Sequence, residues 1–107
     1  MARPRAHVLV VEDDPATRDG LTALLESWGY NASAATDGRA AIKVCAKELP
    51  QAIVTDLMMP GMNGLELVEA LGERVQQVTV IVLTGQATIE TAVQAIKLGA
   101  YDYLTKP

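Results

Sequence analysis

The stretch VLVVEDDP, Val8 to Pro15, decides the fold. Val8 to Val11 is apolar at every position. A strand with one wet face alternates apolar and polar residues, whereas a strand buried on both faces of a parallel sheet does not. Three acids follow directly, Glu12, Asp13 and Asp14, and then Pro15. Asp before Pro reads as an N-cap and a first helical residue whose missing N–H costs nothing. Eight residues therefore predict a buried strand, an acidic turn and a helix start.

The same unit recurs outward from it. The first helix carries Leu21, Leu24, Leu25 and Trp28 on one face and stops at Gly29. Asn31 to Ala35 is an Ala-rich strand. Asp37-Gly38 opens a second helix, with Ala41, Ile42, Val44 and Cys45 as its apolar positions and Pro50 beyond its end. Ala52 to Thr55 is a third strand. Met59-Pro60-Gly61 has Pro and Gly where a type II turn wants them. Asn63 caps a third helix containing Leu65, Leu67, Val68 and Leu71. Val78 to Leu83 is a fourth strand. Ile89, Ala92, Val93 and Ile96 give a fourth helix, stopped by Gly99, and Tyr101 to Thr105 is a fifth strand. Strictly alternating strands and helices predict an α/β protein with a parallel sheet and right-handed crossovers.

Composition narrows the function classes. The chain has 107 residues, one domain's worth. Residues 1–6 are expected to form a flexible N-terminal arm, and residues 7–107 the domain. Phe is absent and aromatics are 4%, so the core must be aliphatic. Thirteen acids against nine Lys and Arg give a net charge of −4, which argues against direct contact with nucleic acid. One cysteine, Cys45, excludes an internal disulfide and a cysteine-rich metal site, and fits a cytoplasmic protein. No apolar run reaches the ~20 residues of a membrane span.

The informative residues stand just after the strands. Glu12 and Asp13 follow the first, Asp56 the third, Thr84 the fourth and Lys106 the fifth. Open α/β sheets bind ligands at this carboxyl edge, so three carboxylates, a hydroxyl and an ammonium should converge on one crevice. Two unit charges about 5 Å apart repel by roughly 3 kcal/mol at an effective dielectric near 20. Helix capping accounts for Asp14 but not for Asp13 or Asp56. Mg²⁺, a hard cation that takes oxygen ligands and keeps several waters, would offset the repulsion. No glycine-rich nucleotide loop is present. A carboxylate that itself takes a phosphoryl group is the alternative.

Four motifs, VLVVEDD (Val8–Asp14), VTDLMMPGMNGLEL (Val54–Leu67), VLTG (Val82–Gly85) and GAYDYLTKP (Gly99–Pro107), stand in this order along the chain. With them the sequence resembles the receiver domain of two-component response regulators, and GAYDYLTKP resembles receivers of the sigma-54-dependent, nitrogen-regulation class. The resemblance implies a flavodoxin-like (βα)5 fold with strand order 2-1-3-4-5. The fifth helix is absent, so the receiver would be truncated, and the first helix alone could not cover its face of the sheet. It implies Asp56 as phosphoacceptor and Glu12, Asp13, Asp56 and the Met58 backbone carbonyl around Mg²⁺. It further implies Thr84 and Lys106 as phosphate partners, Thr84 and Tyr103 as the switch pair, and a cis Lys106–Pro107 peptide. The partners implied are a sensor histidine kinase and an output domain of the same protein, such as a sigma-54-dependent ATPase with a DNA-binding domain. A phosphorylation-dependent homodimer is compatible with the family. Three positions depart from its commoner pattern: Glu12 for Asp, apolar Met58 beside the acceptor, and Asn63 for Asp. An aspartate-nucleophile phosphatase is disfavoured, because Leu57 and Met58 follow Asp56 where a second Asp would be expected. A phosphate-independent interaction module would lack the acceptor or the lysine, and both are present. His7, at the far end of the first strand, is expected on the surface.

Overall fold

The computed structural model describes residues 5–106. The expected arm over residues 1–6 falls mostly outside them, and so does the Lys106–Pro107 peptide. The elements follow in order as β1 (His7–Val11), α1 (Pro15–Ser27), β2 (Asn31–Ala35), α2 (Gly38–Lys47) and β3 (Ala52–Thr55). Then come α3 (Gly64–Leu71), a 3₁₀ segment (Gly72–Gln77), β4 (Thr79–Thr84), α4 (Ile89–Leu98) and β5 (Asp102–Thr105). The 3₁₀ segment has no counterpart in the sequence reading. The polar run Gly72-Glu73-Arg74 and Gln76-Gln77 lacks helical periodicity, and β4 begins one residue later than expected.

The five strands are parallel and ordered β2-β1-β3-β4-β5, as the resemblance implied. The chain reverses its direction of winding at β1, so a crevice opens between the carboxyl ends of β1 and β3. Local chemistry starts each helix. The Asp14 carboxylate accepts from the Thr17 N–H at 2.9 Å and its hydroxyl at 2.7 Å. Asn63 and Glu66 form a reciprocal capping box on α3, and Thr88 and Thr91 another on α4. Gly99 ends α4 in the left-handed region, at φ 113°, where a Cβ would be strained.

Alternation along the strands divides the core. Leu9, Val11, Ile53 and Val80 point to the face covered by α2 and α3, and pack with Ala41, Cys45, Leu67, Val68 and Leu71. Each buried Val, Leu or Ile among them contributes roughly 1.5–3 kcal/mol. Val82 meets α4 through Ala95, with Leu57 and Ala100 beside it. Among the described residues the opposite face has only α1, which buries no residue fully. Leu24 is 44% exposed, Trp28 65% and Leu104 45%, and Ile81 and Leu83 are half-buried. The apolar stripe of α4 likewise does not form core. Ile89, Val93 and Ile96 are exposed and only Ala95 is buried, because periodicity defines a stripe without saying which way it faces.

Gly64 brings α3 against the end of β3. A Cβ there would lie 2.4 Å from the Asp56 carbonyl oxygen and 3.1 Å from the Leu57 Cα, both backbone atoms. At Gly38 a Cβ would meet the Met62 side chain, its Cγ at 2.7 Å and its Cβ, which no rotamer change moves, at 2.9 Å. Gly64→Ala should therefore cost about 1–3 kcal/mol. Urea unfolding of the variant against the parent measures this, and a Gly64→Ala protein as stable as the parent would show that the close approach at Gly64 is not a constraint.

Candidate functional site

The strand ends deliver the polar residues as the sequence implied. The Asp56 N–H donates to the Val11 carbonyl at 3.0 Å, which carries the β1–β3 ladder up to the crevice. The Lys106 N–H donates to the Thr84 carbonyl at 2.9 Å and does the same for β4 and β5. Across the crevice the Lys106 Nζ donates to Glu12 Oε1 at 2.6 Å and to Asp56 Oδ2 at 2.9 Å. One ammonium thus links residues 94 and 50 positions away. Glu12, Asp13 and Asp56 each offer a carboxylate oxygen, and these lie within 4.8 Å of one another.

The three acids differ in setting. Glu12 is buried, with its Oε2 accepting from the Asp14 N–H at 3.3 Å. Burial pushes its carboxyl above the usual range, opposed by the Lys106 and Asp14 hydrogen bonds and reinforced by the nearby Asp56 charge. Asp13 is exposed at the rim. Asp56 is half-buried, and its Oδ1 accepts from the Met58 N–H at 3.3 Å. The Met58 side chain is exposed beside it. Oxygen-only donors at this spacing fit a hard divalent cation. Ligands on opposite sides of such an ion stand about 4–5 Å apart for metal–oxygen distances of 2.0–2.6 Å.

Thr84 and Tyr103 lie deeper. Thr84 is fully buried, and its Oγ accepts from the Gln86 N–H at 3.1 Å. Tyr103 is half-buried against the Leu57, Val82, Ala95 and Ala100 cluster. Its hydroxyl is 2.6 Å from the Thr91 Oγ, inside the cap of α4. Two contacts escaped the sequence reading. One is the Glu12–Lys106 ion pair, since Lys106 was matched to phosphate alone. The other is Arg18, whose guanidinium donates to the carbonyls of Glu12 and Asp13. A cation one turn into the helix after an acidic loop was the available signal. His7 is half-buried rather than on the surface, with Nε2 2.6 Å from the Ser33 Oγ, because β2 lies alongside it.

Burial alone would lower the Lys106 pKa, but the Glu12 and Asp56 hydrogen bonds and charges raise it above its ordinary 10.5. Stabilisation from a raised lysine is complete below the unfolded value and is lost as pH rises through the folded one. Lys106→Met should cost about 1–2 kcal/mol at neutral pH. That is less than a fully buried pair, because the Lys106 side chain is 24% exposed. The variant should also lack the part of the parent's stability decline, above pH 10.5, that comes from Lys106. Urea midpoints from neutral pH to about pH 11 test this, and identical alkaline declines in both proteins would contradict it.

Comparison with known proteins agrees with the geometry. A family model described as "Response regulator receiver domain" matches residues 8–107. The transcriptional regulatory protein FixJ of Azorhizobium caulinodans is 43% identical over 100 residues, covering 94% of this chain and 47% of that protein. An NtrX-like response regulator of Rickettsia bellii is 39% identical over 102 residues, covering 94% of this chain. The chain spans only 21% of the length of that relative. Among solved structures, a CheY-like receiver domain protein from Methanospirillum hungatei superposes with a TM-score of 0.92 at 29% identity, over 97% of this chain and 83% of that one. A response regulator from Burkholderia pseudomallei, solved with a phosphorylated aspartic acid and a calcium ion, gives 0.89 at 36% identity, over 95% and 60%. With that family model over residues 8–107 and five parallel strands in this order, the chain belongs to the response regulator receiver family and is a phosphorylation-driven signalling switch.

Proposed function

We propose that Asp56 is the phosphoacceptor and that a sensor histidine kinase is its donor. The observation that carries this reading is the place of Asp56, 2.9 Å from the Lys106 ammonium and within 4.8 Å of the Glu12 and Asp13 carboxylate oxygens. In the transfer an Asp56 carboxylate oxygen attacks phosphorus in line with the donor nitrogen. The new O–P bond forms as the N–P bond breaks, and the electron pair stays on the departing imidazole. Lys106, already against Asp56, supplies positive charge to the incoming phosphoryl oxygens. Glu12, Asp13, Asp56 and, by family resemblance, the Met58 carbonyl would hold Mg²⁺, which neutralises charge on the phosphoryl oxygens when bound. The Burkholderia pseudomallei structure contains a phosphorylated aspartic acid and a calcium ion, which supports an aspartyl phosphate and a hard divalent cation as the chemistry of such a domain.

Signal leaves through the inner pair. A phosphoryl group on Asp56 offers a new acceptor to the Thr84 hydroxyl, and Tyr103, tied to Thr91 in α4, would follow its movement. The exposed Ile89, Val93 and Ile96 on α4 are then a surface for an output domain or a second copy to read. Relatives named as transcriptional regulators, FixJ and the DctD protein of Pseudomonas aeruginosa, support transcriptional output from a linked domain. A sigma-54-dependent ATPase with a DNA-binding domain is the candidate. The receiver itself, with net charge −4, would not touch DNA. The half-covered face beside α1 includes a groove of about 350 Å³ lined by Leu21, Leu24, Leu83 and Lys106. A fifth helix from a longer protein would cover it. We place the domain in the cytoplasm; among the described residues, no helix is long and apolar enough to cross a membrane.

Acetyl phosphate with Mg²⁺ should add one phosphoryl mass to the chain, and Asp56→Asn should abolish it in intact mass spectrometry. A persisting adduct in that variant would move the acceptor elsewhere. Mg²⁺ should also stabilise the fold by relieving repulsion among the three acids, by about 2.7 kcal/mol at 100 times its dissociation constant. Asp13→Ala should lose most of that gain in a melting scan, and equal Mg²⁺ stabilisation of both proteins would remove Asp13 from the metal site.

A further inference from the structure

The turn between β1 and α1 is held from the helix side by a single cation. Arg18 sits in the first turns of α1, its N–H bonded to the Asp14 carbonyl at 2.9 Å. Its guanidinium reaches back toward the helix N-terminus. There Nη1 donates to the Glu12 carbonyl at 3.1 Å and, over a longer 3.4 Å, to the Asp13 carbonyl. Those two carbonyls belong to the peptide planes on either side of the Asp13 Cα. Glu12 has other restraints: its N–H donates to the Ala35 carbonyl, and its carboxylate meets Lys106 and the Asp14 N–H. Asp13 lies past the end of β1 and is exposed.

We propose that Arg18 is a positioning residue for the acidic crevice: by fixing both peptide planes that flank Asp13, it orients the Asp13 carboxylate, with that of Glu12, toward a divalent cation. The inference rests on the metal-binding reading above. It is a claim about geometry, and charge alone would act the other way. A guanidinium near the acids repels a cation, so simple electrostatics has Arg18 weaken metal binding. The Arg18 hydrogen bonds fall on carbonyl oxygens and take up no carboxylate oxygen, and a ligand held in place loses less freedom on binding. Orientation therefore outweighs repulsion, and removing Arg18 should weaken the site.

Arg18→Met keeps the apolar stem and removes the donors. Arg18→Lys keeps the charge, but its ammonium ends one bond short of the Nη1 position from which both hydrogen bonds leave. Calorimetric titration with Mg²⁺, metal-free melting and acetyl phosphate labelling of Asp56 are measured on the parent and both variants. Arg18→Met should bind Mg²⁺ roughly 10–100-fold more weakly, the range seen when outer partners of metal ligands are lost. Its metal-free melting should stay close to the parent's, and saturating Mg²⁺ should restore the labelling rate, an outcome general damage to the fold would not give. Arg18→Lys should show a smaller loss. Parent-like or tighter Mg²⁺ binding by Arg18→Met overturns the inference. Should Arg18→Met fail to fold, Arg18→Lys decides. Several-fold weaker Mg²⁺ binding with unchanged metal-free melting supports the inference, and parent-like affinity overturns it. A parent chain that shows neither heat nor a melting shift with Mg²⁺ sinks the metal reading itself, and the role of Arg18 falls with it. A parent that binds alongside an equally competent Arg18→Met sinks the Arg18 inference alone.

Discussion

The Lys106 ammonium shared between Glu12 and Asp56 is the contact on which the crevice depends. Like charges at the ends of neighbouring strands push the carboxyl edge of the sheet apart. A single cation between two of them reverses the sign of that term. It also makes the burial of Glu12 tolerable, since a carboxylate taken from water needs a partner. The ion pair draws the end of β5 toward β1 and β3, across the width of β4. Fold and chemistry therefore meet in one side chain, which helps to hold the strand ends in register and stands against Asp56.

Around that contact the crevice is braced from several sides by backbone as much as by side chains. Asp56 hangs on the Val11 carbonyl, and Lys106 on the Thr84 carbonyl. Gly64 lets the start of α3 lie directly on the Asp56 peptide. Arg18 reaches from α1 to the loop that carries Glu12 and Asp13. Such a site has little freedom to lose when charge arrives, which is what electrostatic stabilisation of a phosphoryl group requires. The inner pair is looser in kind. Tyr103 is held through a hydroxyl–hydroxyl bond to a helix cap, an interaction that exchanges at small cost compared with the buried aliphatic layer.

The two faces of the sheet are unequal. One has α2, α3 and α4 and contains the buried aliphatic clusters. The other has, among the described residues, α1 alone, and leaves Leu24, Trp28 and Leu104 exposed. Continuous apolar strands are made to be covered on both faces. The half-covered face is thus written into Val8–Val11 and Val80–Leu83 as surely as the covered one.

How much of this was legible follows from what each signal depends on. The run Val8–Val11, the caps Asp14 and Asn63 and the stop at Gly99 act through neighbours a few residues away, so sequence by itself determined element order, parallel pairing and the edge that carries Glu12, Asp13, Asp56, Thr84 and Lys106. Tertiary structure alone decided which partners meet. The longer side chain of Glu12 reaches Lys106, Arg18 turns back onto the acidic loop, and Tyr103 finds Thr91. It also decided that the Ile89–Ile96 stripe faces outward. Periodicity and capping are local properties of the backbone, whereas an ion pair 94 residues long, or the choice of a helix's buried side, exists only once the sheet has brought distant strand ends within a few ångströms.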